Sequence, residues 1–463
     1  MNNLINSTRT HNSLTANGAI THSTSLDYCL DMFFLAGASR NLSSDDIISM
    51  FERAYAQEPL TAVKIIFWAR DARGGAGEKR FFQICMKHIA DKYSYLYDQL
   101  AIHVPEYGYY KDIFVIEKPN NNNLNWLMYQ LEESPNKNLL AKWFPRKGQW
   151  FSAMHKYVKL TPKEFRKKLV AMTNVVETQM CNQSWNTIDY AKVPSVAMNR
   201  YRPVFGKHDG ERYAQYITNV RDGKAKINAS VLFPHELYQA IQGGQDEEAV
   251  EAQWYSLPNY MADSTERILP VCDVSGSMSG LPMDVSVSLG LYISERNKGI
   301  FKDAFITFSE KPEMEYLQGG FSQRLRQLSG ASWGYNTNLE AVFNLILDSA
   351  KRDNLPESEM PTKLLIISDM EFDQAAGNRT NLDGIRAKYN REGYALPEII
   401  FWNVNGRMGN SPATIADQGV GLVSGFSPSI LKSVLGGKVY SPRQLMEDTV
   451  LTKRYERIRI ETE

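Results

Sequence analysis

At 463 residues the chain exceeds one ordinary domain, and two or three are expected. A 43% hydrophobic content with 20 Phe, 24 Tyr and 8 Trp excludes wholesale disorder. A net charge of zero excludes a uniformly basic or acidic protein, but it hides a band: residues 137–226 carry 18 Lys/Arg against 6 Asp/Glu, and the remainder carries the matching acidic excess. Cys29, Cys85, Cys181 and Cys272 are scattered, with no Cys-x-x-Cys pair and no His at ligand spacing, which argues against a zinc site or a disulfide framework. Reduced thiols point to a cytoplasmic protein. No apolar run reaches the length of a transmembrane helix and the polar start lacks a signal-peptide core, so no membrane partner is expected.

Residues 1–24, rich in Asn, Ser and Thr, predict a flexible arm. From Asp27 the pattern turns helical. Leu30, Phe33 and Phe34 share a face, Ser43 and Ser44 offer a capped start for a helix through Ala56, and Pro59 opens another that ends at Arg73-Gly-Gly-Ala-Gly77. Short helices joined by tight turns predict an all-α, HEAT-like array over 25–262. Gly74-Gly-Ala-Gly-Glu-Lys79 lacks the framing of a phosphate loop and the Ser/Thr after its Lys, and it sits between helices, so a helix end and turn is the better reading.

The basic band includes Lys142, Arg146, Lys147, Lys163, Arg166, Lys167, Arg200, Arg202 and, at its end, Arg221-Asp-Gly-Lys-Ala-Lys226. Thr161, Pro162 and Glu164 cap a helix whose Lys163, Arg166 and Lys167 share an exposed face. Trp143, Phe144, Trp150, Tyr157, Trp185, Tyr201 and Phe205 interleave with these cations. That alternation suits single-stranded nucleic acid, whose bases stack on rings while cations follow the backbone; the competing reading places most of the rings in a helical core.

An acidic spacer at 243–251 precedes a second domain, 263–463. Here the apolar run Ile268-Leu-Pro-Val-Cys272 stops at Asp273, as a buried parallel strand does. Helices are expected at 282–297, 321–328, 338–353, 381–391 and 428–435, and strands at 301–308, 313–317, 363–368, 398–403 and, on an edge, 421–424. Residues 442–460 close the chain. The alternation predicts a doubly wound α/β domain that binds ligands at the carboxyl ends of its strands, where Asp273 and Asp369 lie.

Asp273, Ser275 and Ser277 alternate along the loop after the first strand, a set of hard oxygen ligands suited to Mg²⁺ or Mn²⁺. The spacing resembles the metal-ion-dependent adhesion site of von Willebrand factor A domains. That family adds a Thr from a later loop and an Asp at a later strand end, matched here by Thr337, in Trp333-Gly-Tyr-Asn-Thr337, and Asp369. The resemblance implies that Ser275, Ser277 and Thr337 hold the ion directly, while Asp273 and Asp369 hold coordinated waters.

A helical array followed by such a domain resembles the TROVE family of Ro RNA-binding proteins. A related family, a domain of unknown function in plants, fungi, bacteria and phages, is closer through Leu14-Thr-Ala-Asn-Gly-Ala19, Arg70-Asp-Ala-Arg-Gly-Gly-Ala-Gly-Glu78, Val104-Pro-Glu-Tyr-Gly108, Asp189-Tyr-Ala-Lys-Val-Pro-Ser-Val-Ala-Met198, Phe233-Pro-His-Glu236 and Ser368-Asp-Met-Glu-Phe372. The resemblance to Ro proteins implies a helical ring closed by the A domain and binding of structured or single-stranded non-coding RNA. No catalytic triad, His-Glu-x-x-His or complete phosphate loop is visible, so binding without catalysis is expected. Two functions follow. One is an RNA-binding scaffold; the other is a metal-dependent protein-interaction module in a larger assembly such as a virion, one that takes an acidic protein ligand and no nucleic acid.

Overall fold

The computed structural model describes residues 13–117, 119–225, 232–308, 312–329, 336–375 and 380–461. The first half is helix-rich, from Tyr28–Ala36 to Glu247–Tyr255. Its local signals work as the chemistry requires. Ser43 and Asp46 cap the helix Ser44–Gln57 reciprocally, and Thr161 and Glu164 do the same for Pro162–Met172. The helix Pro59–Arg70 is buried on nearly every side, so it is the centre of this half rather than a surface element.

The second half is built on a six-stranded mixed sheet of order β5-β4-β3-β6-β7-β8, after a two-stranded hairpin β1 (Ser13–Leu14) and β2 (Ile20–Thr21). Its strands are β3 (Ile268–Cys272), β4 (Ala304–Thr307), β5 (Met314–Tyr316), β6 (Lys363–Ser368), β7 (Glu398–Asn403) and β8 (Val420–Ser424). All pair in parallel except β5. Pro270, with no N–H to give, is tolerated in a central strand because the ladder to β4 begins only at Val271. The strand expected over 301–308 is shorter at its start, where residues 299–301 form a 3-10 turn and Asp303 adopts a positive φ of 65°. The helix expected over 428–435 is a 3-10 turn, Pro428–Ile430, running into one helical turn, Leu431–Val434. The helix Leu281–Arg296 lies close on the sheet through small residues: a Cβ on Gly290 would stand 2.1 Å from Cys272 Sγ, and Ser286 Oγ donates to Ile367 O at 3.1 Å.

The two halves are sewn together at several places. At one end of the helical half, Tyr28–Ala36 packs along β8, where Ser424 Oγ donates to Phe33 O at 2.8 Å. At the other end, Pro234–Gln242 packs on Leu281–Arg296, and Gln239 Nε2 donates to Asp284 Oδ2 at 2.7 Å. Trp254, fully buried, stacks on Phe321 with centroids 3.8 Å apart. The glycine-rich turn after Arg70 is the third seam. Asp71, fully buried, accepts bonds from the Arg73 and Gly74 amides, from Arg454 and from the Tyr455 hydroxyl at 3.1 Å, while Ser429 Oγ donates to Gly75 O at 3.0 Å. A Cβ on Gly75 would stand 2.0 Å from Trp68 O, so glycine is required there by close backbone approach. This is a joint for the C-terminal segment and not a phosphate cradle.

The arm expected over 1–24 is corrected from Ser13 onward. Hairpin β1–β2 docks on the sheet half: Thr15 Oγ1 donates to Phe372 O at 2.7 Å, Asn17 Nδ2 to Glu371 O at 2.7 Å, and His22 and Ser411 exchange backbone bonds. Strands of two residues leave no hydrophobic period in a sequence, which is why composition alone reads as an arm. Residues 1–12 lie outside the described residues. Among the described residues no helix is long and apolar enough to cross a membrane.

Candidate metal-binding site

The strand order puts β3 and β6 side by side, yet the chain leaves β3 toward β4 and leaves β6 toward β7, in opposite directions across the sheet. The connections therefore part above their carboxyl ends, the switch point at which open α/β sheets bind ligands. The register pairs Cys272 with Ile367, so Asp273 and Ser368 emerge next to each other, and the Asp273 amide donates to Ile367 O at 2.9 Å.

Asp273 is fully buried. Its Oδ1 accepts from the Ser275 amide at 2.9 Å and its Oδ2 from Ser368 Oγ at 2.5 Å. Ser275 Oγ and Ser277 Oγ lie 3.1 Å apart, and the Ser277 hydroxyl works against the rise that burial gives the Asp369 carboxyl. Asp369 Oδ1 accepts from the Glu371 amide at 3.2 Å, and Oδ2 from Arg407 Nη2 at 3.3 Å. Asp273, Ser275 and Ser277 thus share one hydrogen-bonded network, and Asp369 stands beside it at the end of β6. Thr337 is tied to the same strand end through Asp373, whose Oδ2 accepts the Thr337 amide at 3.0 Å and whose amide donates to Thr337 O at 3.0 Å. Trp333-Gly-Tyr335, which precedes it, lies outside the described residues.

Burial pushes the Asp273 carboxyl up to about 6, with the Asp369 charge adding to the effect, and burial raises Asp369 as well. Two crowded, desolvated carboxylates are costly as a pair of anions, and a divalent cation removes that cost. Thr337 Oγ1 is buried and has no hydrogen-bond partner among the described residues. A buried hydroxyl left without a partner is rare in a folded chain, and here its free lone pairs suit a hard cation as a ligand. The donor set is right for Mg²⁺ or Mn²⁺, being oxygen throughout. Among the described residues no group of three or more His, Cys, Asp or Glu that could hold a metal stands together, so any ion here would rest on hydroxyls as well as carboxylates.

Three residues at this site were missed in the sequence. Ser368 had a signal, as the hydroxyl that ends the apolar strand β6 directly before Asp369. Arg407 and Asp373 reach the site from loops, and no spacing announces them.

Comparison with known proteins now places the chain. Residues 15–117 and 130–266 match a family described as a domain of unknown function (DUF2828), just over half of the sequence. The chain belongs to the DUF2828 family. Residues 267–460 of this DUF2828 protein match a second domain of unknown function (DUF7788), which takes in the whole six-stranded sheet. An uncharacterized protein of Acanthamoeba polyphaga mimivirus is 29% identical over 497 aligned positions, covering 94% of this chain and 86% of the relative.

The basic band of the DUF2828 half is broken up by the fold. Lys142 pairs with Glu177 at 2.7 Å. Arg146 is half-buried and caps the carbonyls of Phe144 and Ala141 at 2.7 and 2.8 Å. Arg202 is a correction: only 4% exposed, it bonds Gln245 and Asn199 inside the helical packing, where no surface ligand reaches it. Lys147, Lys163, Arg166, Lys167 and Arg200 are exposed, and Lys226 lies outside the described residues. Of the interleaved rings, Phe144, Trp150 and Phe205 are buried, and Tyr157, Trp185 and Tyr201 pack against the core. Trp143 is 37% exposed, with Lys142 and Lys111 over its ring.

Proposed function

We propose that the protein is a non-catalytic, Mg²⁺-dependent docking scaffold whose sheet half is of the von Willebrand factor A type. The observation that carries this reading is the linked set of Asp273, Ser275 and Ser277 at the end of β3, next to Asp369 at the end of β6, and the buried, unpartnered Thr337 Oγ1 adds to it. Ser275, Ser277 and Thr337 would hold the ion directly, and Asp273 and Asp369 would steady its waters. Neutral first ligands leave such an ion electrophilic, and it supplies an attachment point for a carboxylate on an acidic partner protein. The chain's own part is to keep the hydroxyls aligned on a rigid strand end and to bury the two carboxylates. Calorimetric titration of Mg²⁺ into the protein should show one site per chain, and a titration with no heat and no effect on melting would contradict the proposal.

A TROVE-like helical array fits the same picture, because both ends of the helical half meet the sheet half, as ring closure requires. RNA binding is the second reading, favoured by exposed Lys147, Lys163 and Lys167 on consecutive segments. If these lysines neutralise phosphates, exchanging all three for Ala should flatten the salt dependence of single-stranded RNA binding, by about 0.7 in log–log slope for each phosphate left without its lysine. Filter binding over a salt series measures this, and an unchanged slope would remove RNA from the account.

A further inference from the structure

Arg407 has no place in the metal-site reading, yet it is the cation nearest to it. Its Nη2 donates to Asp369 Oδ2 at 3.3 Å, and its Nε lies 3.5 Å from Glu371 Oε1. Both carboxylates are almost completely buried, while the arginine is 40% exposed. Among the described residues no other cation forms an ion pair with Asp369, and none does with Asp273. Both distances are long for charge-assisted bonds, which run at about 2.7–2.9 Å when well made. The guanidinium is thus stationed over Asp369 without being locked to it.

Glu371 has other partners. The Ala16 amide of the N-terminal hairpin donates to it, as does Asn410 Nδ2 at 3.1 Å, so its buried carboxylate stays satisfied if the arginine leaves. Space exists for that movement. A cavity of about 50 Å³ is bordered by Arg407, Ser23, Thr24, Asp31, Asn410 and, on its far rim, Arg53.

We infer that Arg407 is the internal counter-cation of the metal site, holding Asp369 in the metal-free protein and displaced from it when a divalent ion binds. This rests on the metal-site reading and goes beyond it, by naming a residue that sets how tightly the site takes its ion. The physical ground is competition: Asp369 Oδ1 already accepts the Glu371 amide, and a monovalent guanidinium and a hydrated divalent ion cannot both dominate Oδ2. The arginine also lowers the cost of the two buried carboxylates when no metal is present, so it acts in opposite directions on the two states.

The test reads both. Arg407→Ala should bind Mg²⁺ about 3- to 10-fold more tightly than the unaltered protein by calorimetry, the modest range reflecting a solvent-screened ion pair. In EDTA the same variant should melt at a lower temperature, and added Mg²⁺ should raise its melting point by more than it raises that of the unaltered protein. Arg53→Ala, which removes a positive charge from the cavity rim without touching Asp369, should leave the affinity within about 2-fold, separating direct competition from a diffuse field. Equal or weaker Mg²⁺ binding by Arg407→Ala, with normal binding by the unaltered protein, would overturn the role of Arg407 alone. Absence of binding in both would overturn the metal site and this inference together.

Discussion

Asp112→Ala is expected to cost about 3–5 kcal/mol of stability, the range for removing one partner of a buried ion pair. Arg70 and Asp112 are 2% and 0% exposed, and Arg70 Nε lies 2.7 Å from Asp112 Oδ2. The carboxylate also accepts from Gln83 Nε2 at 2.7 Å and from the Tyr109 amide at 3.0 Å. Removing it strands a guanidinium whose Nη2 already lacks a partner among the described residues, and it strands two further donors. Arg70 is the last residue of its helix, followed by Asp71 with its hold on Arg454, so the damage should spread to the seam between the halves. Urea denaturation measures the loss, and proteolysis of the C-terminal segment should quicken in parallel. The double variant Arg70→Met, Asp112→Leu should recover part of the stability, because it leaves no unpaired charge although Gln83 Nε2 and the Tyr109 amide still lose their acceptor. A loss below about 1 kcal/mol in the single variant would mean that water replaces the carboxylate, and that this pair does not organise the helical half.

The second large effect concerns the metal. Asp273→Asn should weaken Mg²⁺ binding by about 10- to 100-fold, as loss of an outer-shell carboxylate does, and combination with Asp369→Asn should abolish measurable binding. The same variant should not lose stability in EDTA. The Asp273 carboxyl is raised to about 6, so its ionised form carries a cost at neutral pH that fades as pH falls below that value, and a neutral amide removes it throughout. Lost metal response with retained metal-free stability is the signature of a binding carboxylate. A variant that melts early in EDTA and still binds Mg²⁺ normally would mark Asp273 as a structural residue that holds Ser368 and the Ser275 amide.

Much of the sheet half was legible in the sequence, because parallel strands buried on both faces write themselves as short apolar runs. The runs at 363–368 and 398–403 coincide with β6 and β7, and Asp273 and Asp369 stand where such runs end. The candidate metal residues could be placed in the fold because each sits beside a strand end or helix start, and those leave periodic marks. What escaped was everything made by tertiary approach. The hairpin at 13–21 is two residues per strand, and its order comes from the Glu371–Phe372 backbone. Arg407 arrives from a loop whose composition says nothing of Asp369. The basic band was legible only as a sum: a count of charges cannot distinguish Lys163, which faces water, from Arg202, which faces Gln245 in the packing. Equally, Gly74 to Gly77 looked like a local turn, and only the fold reveals that Asp71 and Gly75 receive the chain's other end.

The central claim is that five oxygen-bearing side chains, far apart in the sequence, meet at one cation. Diffraction from crystals grown or soaked with Mn²⁺, collected at the manganese absorption edge, tests it most directly. The account predicts one anomalous peak per chain within bonding distance of Ser275 Oγ, Ser277 Oγ and Thr337 Oγ1, with Asp273 and Asp369 reached through water. A peak bound elsewhere, or an empty network at saturating Mn²⁺ with Thr337 Oγ1 bonded to protein instead, would contradict it.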